Sequence, residues 1–347
     1  MAAKAPSIAD VQAARVRLAG LALTTPLLAH PALDAAVGGK VLLKAESLQR
    51  VGAFKFRGAY NKIVQVDRAA FPGGVVACSS GNHAQGVASA ATIAGLRSLI
   101  VMPSDAPALK IARTKAFGAE VHLYDRVNED RDAIAGRIAA ERRAALVHPF
   151  DDADVIAGQG TVGLELVEQA ALLGQIPDAV IAPCSGGGLV SGIALAVKAF
   201  LPACEIWAAE PAGFDDLARS LASGERERNT KLSGSICDAL LAPSPGEITF
   251  DILRRLLAGS VVASDEEVRS AIRFAYHELK LVLEPGGAIG LAALLAGRVS
   301  CQDRTVACVL SGGNIDPALF SEIICEAGTP ATADFAARAV LPTRFGR

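Results

Sequence analysis

The residues of this sequence best suited to covalent chemistry lie at positions 48–61, which read LQRVGAFKFRGAYN. Lys55 stands there between Phe54 and Phe56, at the point where a loop gives way to residues typical of a helix. A lysine flanked by apolar surface has its charged form disfavoured, so its amine can act as a nucleophile or base near neutral pH. The alternative is a lysine whose aliphatic stem lies over the two rings. This stretch alone leaves both interpretations open.

Two loops carry the residue types of anion-binding sites at helix N-termini. Residues 79–83, Ser-Ser-Gly-Asn-His, offer hydroxyls, an amide and backbone N–H groups that suit a carboxylate. Residues 183–189, Pro-Cys-Ser-Gly-Gly-Gly-Leu, contain three glycines that allow an anion to approach the backbone closely, as suits a phosphate. A capped turn is the alternative for the first loop, and His83 by itself is more typical of capping or packing than of a general base.

A dinucleotide fingerprint is the alternative for the glycine loop, because Glu210 lies about the right distance beyond it. The GxGxxG spacing would place the last glycine at Ser191, however, and the loop does not belong to the first βα unit. A single phosphate is therefore better supported than a pyrophosphate. A third loop, residues 310–314, places Ser311 beside glycines that leave room for a flat ring, with a plain turn as the alternative.

Short apolar strands alternate with longer helices along most of the chain, which predicts βαβ units and a mostly parallel sheet. The predicted strands lie near residues 41–43, 74–78, 98–102, 120–124, 145–147, 178–182, 204–209 and 305–310. The predicted helices lie near residues 7–18, 83–94, 106–117, 129–142, 161–173, 249–257 and 266–279, with others after 189 and 286. Ligands of such sheets collect at the carboxyl ends of strands, where the three loops lie. The pattern restarts near Pro149, which indicates two α/β domains.

Composition argues against several other classes of protein. The net charge is -2 with acids and bases mixed along the chain, so we expect no nucleic-acid or anionic-membrane partner. The longest uncharged stretch, residues 179–197, is broken by Pro183 and four glycines and is not a membrane span. Seven cysteines without a CxxC pair predict reduced thiols, and the N-terminus lacks the apolar run of a secretory signal. We therefore expect a cytoplasmic protein.

Together these segments resemble the fold-type II pyridoxal-phosphate enzymes, in the branch with serine/threonine dehydratases, serine racemase and threo-3-hydroxyaspartate ammonia-lyase. The resemblance extends over about residues 25–316 and is most specific in GAFKFRGA, SSGNHAQG, HPFDDADVIAGQGT, the glycine loop, EPGGAIG and VLSGGNID. It implies an α/β fold like that of the tryptophan synthase β chain, with the active site between two parallel-sheet domains. The large domain would comprise residues 1–64 and 151–347, the small mobile domain residues 65–150, and the enzyme would be a homodimer.

The resemblance also implies roles for individual residues. Lys55 would bind pyridoxal 5'-phosphate covalently, Asn82 would bond the ring hydroxyl and Ser311 the pyridine nitrogen, while backbone N–H groups of the glycine loop bind the phosphate. The implied cofactor-binding residues are Phe54, Lys55, Asn82, Ser185, Gly186, Gly187, Gly188, Leu189, Glu284 and Ser311. The implied substrate-binding residues are Ser79, Ser80, Asn82, His83 and Arg131, the last for a side-chain carboxylate.

A divalent cation is implied as well. In related enzymes the residues matching Glu210, the carbonyl of Phe214, and Asp216 coordinate such an ion, and the stretch EPAGFDD has that spacing. Hard oxygen ligands suit Mg²⁺ or Ca²⁺. The alternative is a solvated helix start with acids in its first turn.

The implied activity is that of an ammonia-lyase, or dehydratase, that eliminates water and ammonia from L-serine or L-threonine to give a 2-oxo acid. Lys55 would be the general base. Threo-3-hydroxyaspartate ammonia-lyase is an alternative because of Ala53 and Phe56, and serine racemase because the Ser80 hydroxyl could return a proton to Cα. Ala239, where glycine is usual, leaves the substrate open. A nicotinamide-dependent oxidoreductase, which would need the missing fingerprint, and a cofactor-binding protein without activity are the interpretations from other classes.

Overall fold

Two separate β-sheets organise the chain in the computed structural model, which describes residues 4–106, 108–125 and 127–326. The strands are β1 (Leu27–Ala29), β2 (Lys40–Lys44), β3 (Val75–Cys78), β4 (Ser98–Pro103), β5 (Glu120–Tyr124), β6 (Ala145–Leu146), β7 (Ala179–Pro183), β8 (Glu205–Pro211), β9 (Gly259–Ala263) and β10 (Thr305–Val309). The first sheet has the order β1-β2-β10-β7-β8-β9, and the second has the order β5-β4-β3-β6. Every neighbouring pair is parallel except β1 with β2.

Helices connect and cover these strands. They are α1 (Ile8–Leu18), α2 (Pro31–Val37), α3 (Lys55–Ile63), α4 (Asn82–Ile93), α5 (Ala108–Ala116), α6 (Arg131–Arg142), α7 (Ala153–Leu172), α8 (Gly188–Phe200), α9 (Asp216–Ser223), α10 (Glu247–Leu256), α11 (Asp265–Phe274), α12 (Pro285–Leu295) and α13 (Pro317–Cys325). Every residue of β4 and of β7 is buried, as expected for parallel strands covered on both faces. No described helix has both the length and the apolar character that crossing a membrane would require.

The four strands of the second sheet all come from residues 75–146, between β2 and β7 of the first sheet. The α/β class and the mostly parallel pairing predicted from the sequence are thus confirmed. We propose that the two sheets mark the small domain and the two-part large domain. The mobility of residues 65–150 stays a prediction, and residues 1–3 and 327–347 of the large domain lie outside the described part of the chain.

Helix α7 begins at Ala153 and not near Thr161, where the sequence prediction placed its start. The Asp152 carboxylate caps it by accepting hydrogen bonds from two backbone N–H groups of the first turn. Gly158 and Gly160 lie in the part of the helix that the prediction missed. A Cβ added at Gly158 would lie 2.6 Å from the Arg57 carbonyl oxygen, and one added at Gly192 would lie 2.5 Å from the Gly160 nitrogen. The glycines therefore allow α7 to pack closely on α3 and α8.

A buried group of charges also holds α3 in place. The Arg57 side chain, 1% exposed, donates from Nε to Glu46 over 2.8 Å and from Nη1 to Glu165 over 2.6 Å. The Lys44 Nζ donates to the same Glu165 over 2.7 Å. Two cations thus balance two carboxylates in the interior, which keeps the cost of burying each charge low. Since Arg57 follows Lys55 by two residues, this group positions the start of α3.

Candidate active site

One cavity of about 390 Å³ contains all the residues that the sequence predicted for cofactor and substrate. They come from loops of both sheets and are Phe54, Lys55, Ser79, Ser80, Asn82, His83, Arg131, Ser185, Gly186, Gly187, Gly188, Leu189, Glu284 and Ser311. The three predicted cation ligands, Glu210, Phe214 and Asp216, do not line it. The roles of these residues stay predictions, but the structure brings the cavity set together.

Lys55 begins α3 and is held at the cavity wall. Its Nζ donates a hydrogen bond to the Pro149 carbonyl over 2.8 Å and lies 5.1 Å from the centre of the Phe54 ring. Burial lowers the pKa of the Lys55 amine to about 8, although the nearby Glu284 carboxylate opposes this shift. A substantial fraction of the amine is therefore neutral near pH 7.5. Neutral amine is the form that can act as a nucleophile or accept a proton.

The glycine loop forms a cradle for an anion at the start of α8. Gly187 has a φ of +95° and caps the helix, a conformation that favours glycine. The Gly186 carbonyl accepts hydrogen bonds from the Thr249 hydroxyl and the Gly246 N–H, so this oxygen is already hydrogen-bonded within the protein. Within the described chain, the backbone N–H groups of residues 185–189 have no acceptor. These donors, together with the helix dipole, fit a phosphate.

A second set of free donors lies at the start of α4. Gly81 caps this helix, and the N–H groups of Asn82 and His83 find no acceptor among the described residues. The Asn82 side chain donates to Glu284 over 2.6 Å and accepts from Asn314 over 2.8 Å. Burial and the nearby Asp238 raise the pKa of Glu284 to about 7, while the hydrogen bond from Asn82 opposes the rise. This end of the cavity suits a carboxylate.

The ring of His83 is not placed to act as a cation. Its Nε2 lies 3.0 Å from the Val147 carbonyl oxygen, which can only accept, so Nε2 carries the proton. Burial, helped by the positive charge of Lys55, lowers the pKa of His83 to about 3. Its Nδ1 is buried and has no partner among the described residues. His83 therefore offers an anion its backbone N–H, which agrees with the expectation that its ring is not a general base.

Ser311 follows β10 and is 5% exposed. Its carbonyl accepts a hydrogen bond from the Phe54 N–H over 3.1 Å, and Ala53 forms an isolated bridge with Gly312. These contacts connect the end of β10 to the residue before Lys55. The Ser311 hydroxyl and the Lys55 amine are thereby kept in one cavity.

The predicted cation ligands, Glu210, Phe214 and Asp216, are buried outside this cavity. The Glu210 oxygens accept from the N–H groups of Leu217 and Ala218 and from the Ser260 hydroxyl. The Asp216 Oδ2 is buried and has no partner within the described part of the chain. Burial raises the pKa of Glu210 to about 8 and that of Asp216 to about 6. Two buried acids, one with an unsatisfied oxygen, fit a cation, although no cluster of three or more acid, histidine or cysteine side chains suited to a metal occurs among the described residues.

Sequence reasoning missed several residues that shape the cavity. A Cβ added at Gly186 would lie 2.3 Å from the Phe150 ring, and one added at Gly187 would lie 2.9 Å from Thr249. The Asp151 carboxylate accepts hydrogen bonds from N–H groups at the start of α10 and so fixes Thr249. Phe150 and Asp151 could have been identified from the sequence, because they lie in the motif HPFDDADVIAGQGT. Thr249 lies in no motif that would have identified it.

A comparison with protein families identifies the cofactor class of this chain. A family model described as pyridoxal-phosphate dependent enzyme matches residues 19–312. The chain belongs to this family. The resemblance predicted from the sequence is confirmed, and so is pyridoxal phosphate as the cofactor of this enzyme.

Relatives of this enzyme share most of its length. L-threo-3-hydroxyaspartate ammonia-lyase of Pseudomonas sp is 40% identical over 315 residues, which are 91% of this chain and 97% of that protein. Serine racemase of Oryza sativa subsp. indica is 40% identical over 317 residues, 90% of this chain and 92% of that protein. The crystal structure of threonine deaminase from T.th. has a TM-score of 0.84 and 45% identity, and covers 90% of this chain and 99% of its own.

Proposed function

We propose that this enzyme is an ammonia-lyase that converts L-3-hydroxy amino acids, with L-serine and L-threonine as its simplest substrates, into 2-oxo acids and ammonia. One observation carries the proposal: a partly desolvated lysine amine shares a cavity with two separate sets of free backbone donors. One set suits the cofactor phosphate and the other a substrate carboxylate. The similarity to L-threo-3-hydroxyaspartate ammonia-lyase and threonine deaminase supports this reaction class.

The cavity residues fit pyridoxal phosphate as follows. Backbone N–H groups of residues 185–189 would hold the phosphate, and Lys55 would bind the aldehyde carbon. Asn82 would contact the ring hydroxyl and Ser311 the pyridine nitrogen, with Phe54 and Glu284 completing the site. When bound, pyridoxal phosphate supplies an electron sink that stabilises negative charge at the substrate Cα.

The protein supplies positioning and proton transfer. Backbone N–H groups of Asn82 and His83, with the hydroxyls of Ser79 and Ser80, would hold the substrate carboxylate at the start of α4. The neutral Lys55 amine would take the Cα proton, and its burial keeps this amine competent near pH 8. The β-hydroxyl would then leave as water, and the proton that Lys55 took from Cα balances this loss. The resulting enamine tautomerises and takes up one water, which releases ammonia and leaves the 2-oxo acid.

Racemisation is the second candidate function, because Ser80 and Lys55 line the same cavity and the Ser80 hydroxyl can return a proton to Cα. Release of 2-oxo acid from L-serine, L-threonine and the threo- and erythro-3-hydroxyaspartates, with D-serine followed in parallel, tests both functions. Inactivity on every one of these amino acids would overturn the ammonia-lyase proposal. D-Serine formation without 2-oxo acid would favour the racemase.

Replacing Gly186 with alanine tests the phosphate cradle. The new Cβ would overlap the Phe150 ring, so the loop or the ring must move and the N–H donors lose their alignment. We expect the affinity for pyridoxal phosphate to fall at least about tenfold, as measured by titration of the cofactor-free enzyme. Gly136→Ala is the control, because the space around Gly136 in α6 is open. Equal affinities of the two variants would contradict the assignment.

The lowered pKa of Lys55 predicts how cofactor binding depends on pH. Only the neutral amine attacks an aldehyde, so the rate of cofactor capture should rise about tenfold per pH unit well below pH 8. The rate should level off above about pH 9, since the pKa lies near 8. Stopped-flow absorbance between pH 6 and about 10.5 measures this. A rate still rising at the upper limit would mean that burial does not lower the pKa of the amine.

We propose that Glu210, the Phe214 carbonyl and Asp216 hold Mg²⁺ or Ca²⁺. A cation there would allow both carboxylates to ionise and would satisfy Asp216 Oδ2. At about 100 times its Kd the ion should stabilise the fold by about 2.7 kcal/mol, seen as a higher melting temperature. Glu210→Gln should abolish the increase. An equal ion-dependent increase in the melting temperature of the Glu210→Gln variant would show that the ion binds elsewhere.

The cytoplasmic location and the homodimeric state of the enzyme also stay proposals. All seven cysteines are free thiols, which supports a cytoplasmic location.

The homodimer implied by the family resemblance is tested directly by light scattering on the purified enzyme. A monomer at working concentration would contradict it.

A further inference from the structure

Two cations of α5 line the cavity of the candidate active site and have no role in the function proposed above. Lys110 and Arg113 line the same cavity as Lys55. The Lys110 Nζ lies 2.6 Å from Asp238 Oδ2, and the Arg113 Nη1 donates to Asn314 Oδ1 over 3.3 Å. Each cation thus reaches from a helix beside the second sheet to a loop of the first.

These contacts leave Arg113 with unused hydrogen-bonding capacity. A guanidinium carries five N–H donors, and among the described residues Arg113 has the single acceptor Asn314. A planar fork of this kind binds a carboxylate through two parallel hydrogen bonds. Asn314 itself donates to Asn82, so Arg113 lies two hydrogen bonds away from the proposed site for the substrate carboxylate.

Among the described residues no carboxylate pairs with Arg113, whereas Lys110 has one such partner. Asp316 caps α13 by accepting from the N–H groups of Ala318 and Leu319. Glu284 accepts from Asn82, and burial raises its pKa to about 7, so it is only partly charged. Asp238 alone pairs with Lys110, and its side chain is 59% exposed. A second carboxylate on the substrate would give Arg113 the charged partner that it lacks among the described residues.

We propose that Lys110 and Arg113 form a subsite for a carboxylate on the substrate Cβ, so that the enzyme favours dicarboxylic 3-hydroxy amino acids over L-serine and L-threonine. The proposal rests on the function proposed above and narrows its substrate class. It shifts the recognition of a side-chain carboxylate from Arg131 to α5. Arg113 and Arg131 are both exposed and both line the cavity, but only Arg131 has a carboxylate nearby, Asp132, 3.7 Å from its Nε. The incoming carboxylate would replace Asp238 as the partner of Lys110.

The test uses the holoenzyme and the variants Lys110→Gln, Arg113→Gln and Arg131→Gln. Arg137→Gln is the matched control, since Arg137 is an exposed arginine of α6 that pairs with Glu141 and does not line the cavity. Calorimetry measures binding of succinate, a four-carbon dicarboxylate without an amine, and of butyrate, its monocarboxylate counterpart. Kinetics compares kcat/KM for threo-3-hydroxyaspartate with that for L-serine.

We expect Lys110→Gln and Arg113→Gln each to weaken succinate binding by about tenfold, and butyrate binding much less. The kcat/KM for hydroxyaspartate should fall at least about fivefold more than that for L-serine, mainly through a higher KM. Asp238→Asn should change succinate affinity in the opposite direction, because it removes the competing anion.

Three results would overturn the subsite. The first is equal affinity for succinate and butyrate in the unaltered enzyme. The second is an equal loss of affinity for both ligands in the Lys110→Gln and Arg113→Gln variants. The third is a loss of succinate affinity that occurs only in the Arg131→Gln variant. Failure of the ammonia-lyase proposal is recognised separately, because it abolishes release of 2-oxo acid from every substrate and leaves the calorimetry interpretable.

Discussion

Replacing Lys55 with alanine should lower kcat for 2-oxo acid release by about 10³-fold, because the variant loses both the amine that binds the cofactor and the base that takes the Cα proton. No other lysine lining the cavity can replace it. Lys110, the remaining one among the described residues, is paired with Asp238. Borohydride reduction of the unaltered holoenzyme, followed by peptide mass mapping, should place the pyridoxyl group on Lys55.

Lys62→Gln is the control for this experiment, since Lys62 belongs to the same helix but pairs with Asp152 and Asp154 outside the cavity. It should retain turnover and labelling of Lys55. Attachment of pyridoxyl to a different lysine, or turnover by Lys55→Ala close to that of the unaltered enzyme, would refute the assignment of Lys55.

Replacing Arg57 with leucine should lower the free energy of unfolding by about 3–5 kcal/mol. The change removes one cation from a buried group that holds two carboxylates, and the Glu46 side chain, 0% exposed, loses its charged partner. An uncompensated carboxylate in the interior must either stay charged at a high cost or take up a proton. Denaturant unfolding of the holoenzyme measures the loss.

The matched control is Arg15→Leu, which removes an arginine that pairs with Glu168 on the surface. Both side chains of that pair are about half exposed, so the expected loss is under about 1 kcal/mol. A similar loss for the two variants would show that the buried charge group adds nothing beyond an ordinary surface pair.

Short-range patterns predicted much of the site. Lys55 with its flanking phenylalanines, the donors at the start of α4 and the three glycines before α8 are each visible within a few residues. Each lies between a strand and a helix or at a helix start, so its backbone geometry follows from its neighbours in sequence. The single-phosphate interpretation of the glycine loop likewise came from spacing alone and stays a prediction.

Long-range contacts decided what these patterns could not. Arg57 and Glu165 meet only because α3 packs on α7, and Gly158, which permits this packing, lies outside the helix predicted from the sequence. Thr249 supports the glycine loop from α10, and Arg113 reaches Asn314 from α5. None of these partners is a neighbour in sequence, so no local pattern records the pairing.

The sequence by itself determined the fold class and the candidate residues of the site, because strands, helix starts and glycine turns depend on local backbone and side-chain preferences. The cofactor came from the resemblance of its motifs to a known family. Only the tertiary structure decided the protonation of Lys55 and His83, the balance of the buried charges and the position of the α5 cations. Burial and electrostatic interaction depend on which groups from distant segments surround an atom. Those neighbours exist only after the two sheets and their helices have packed together.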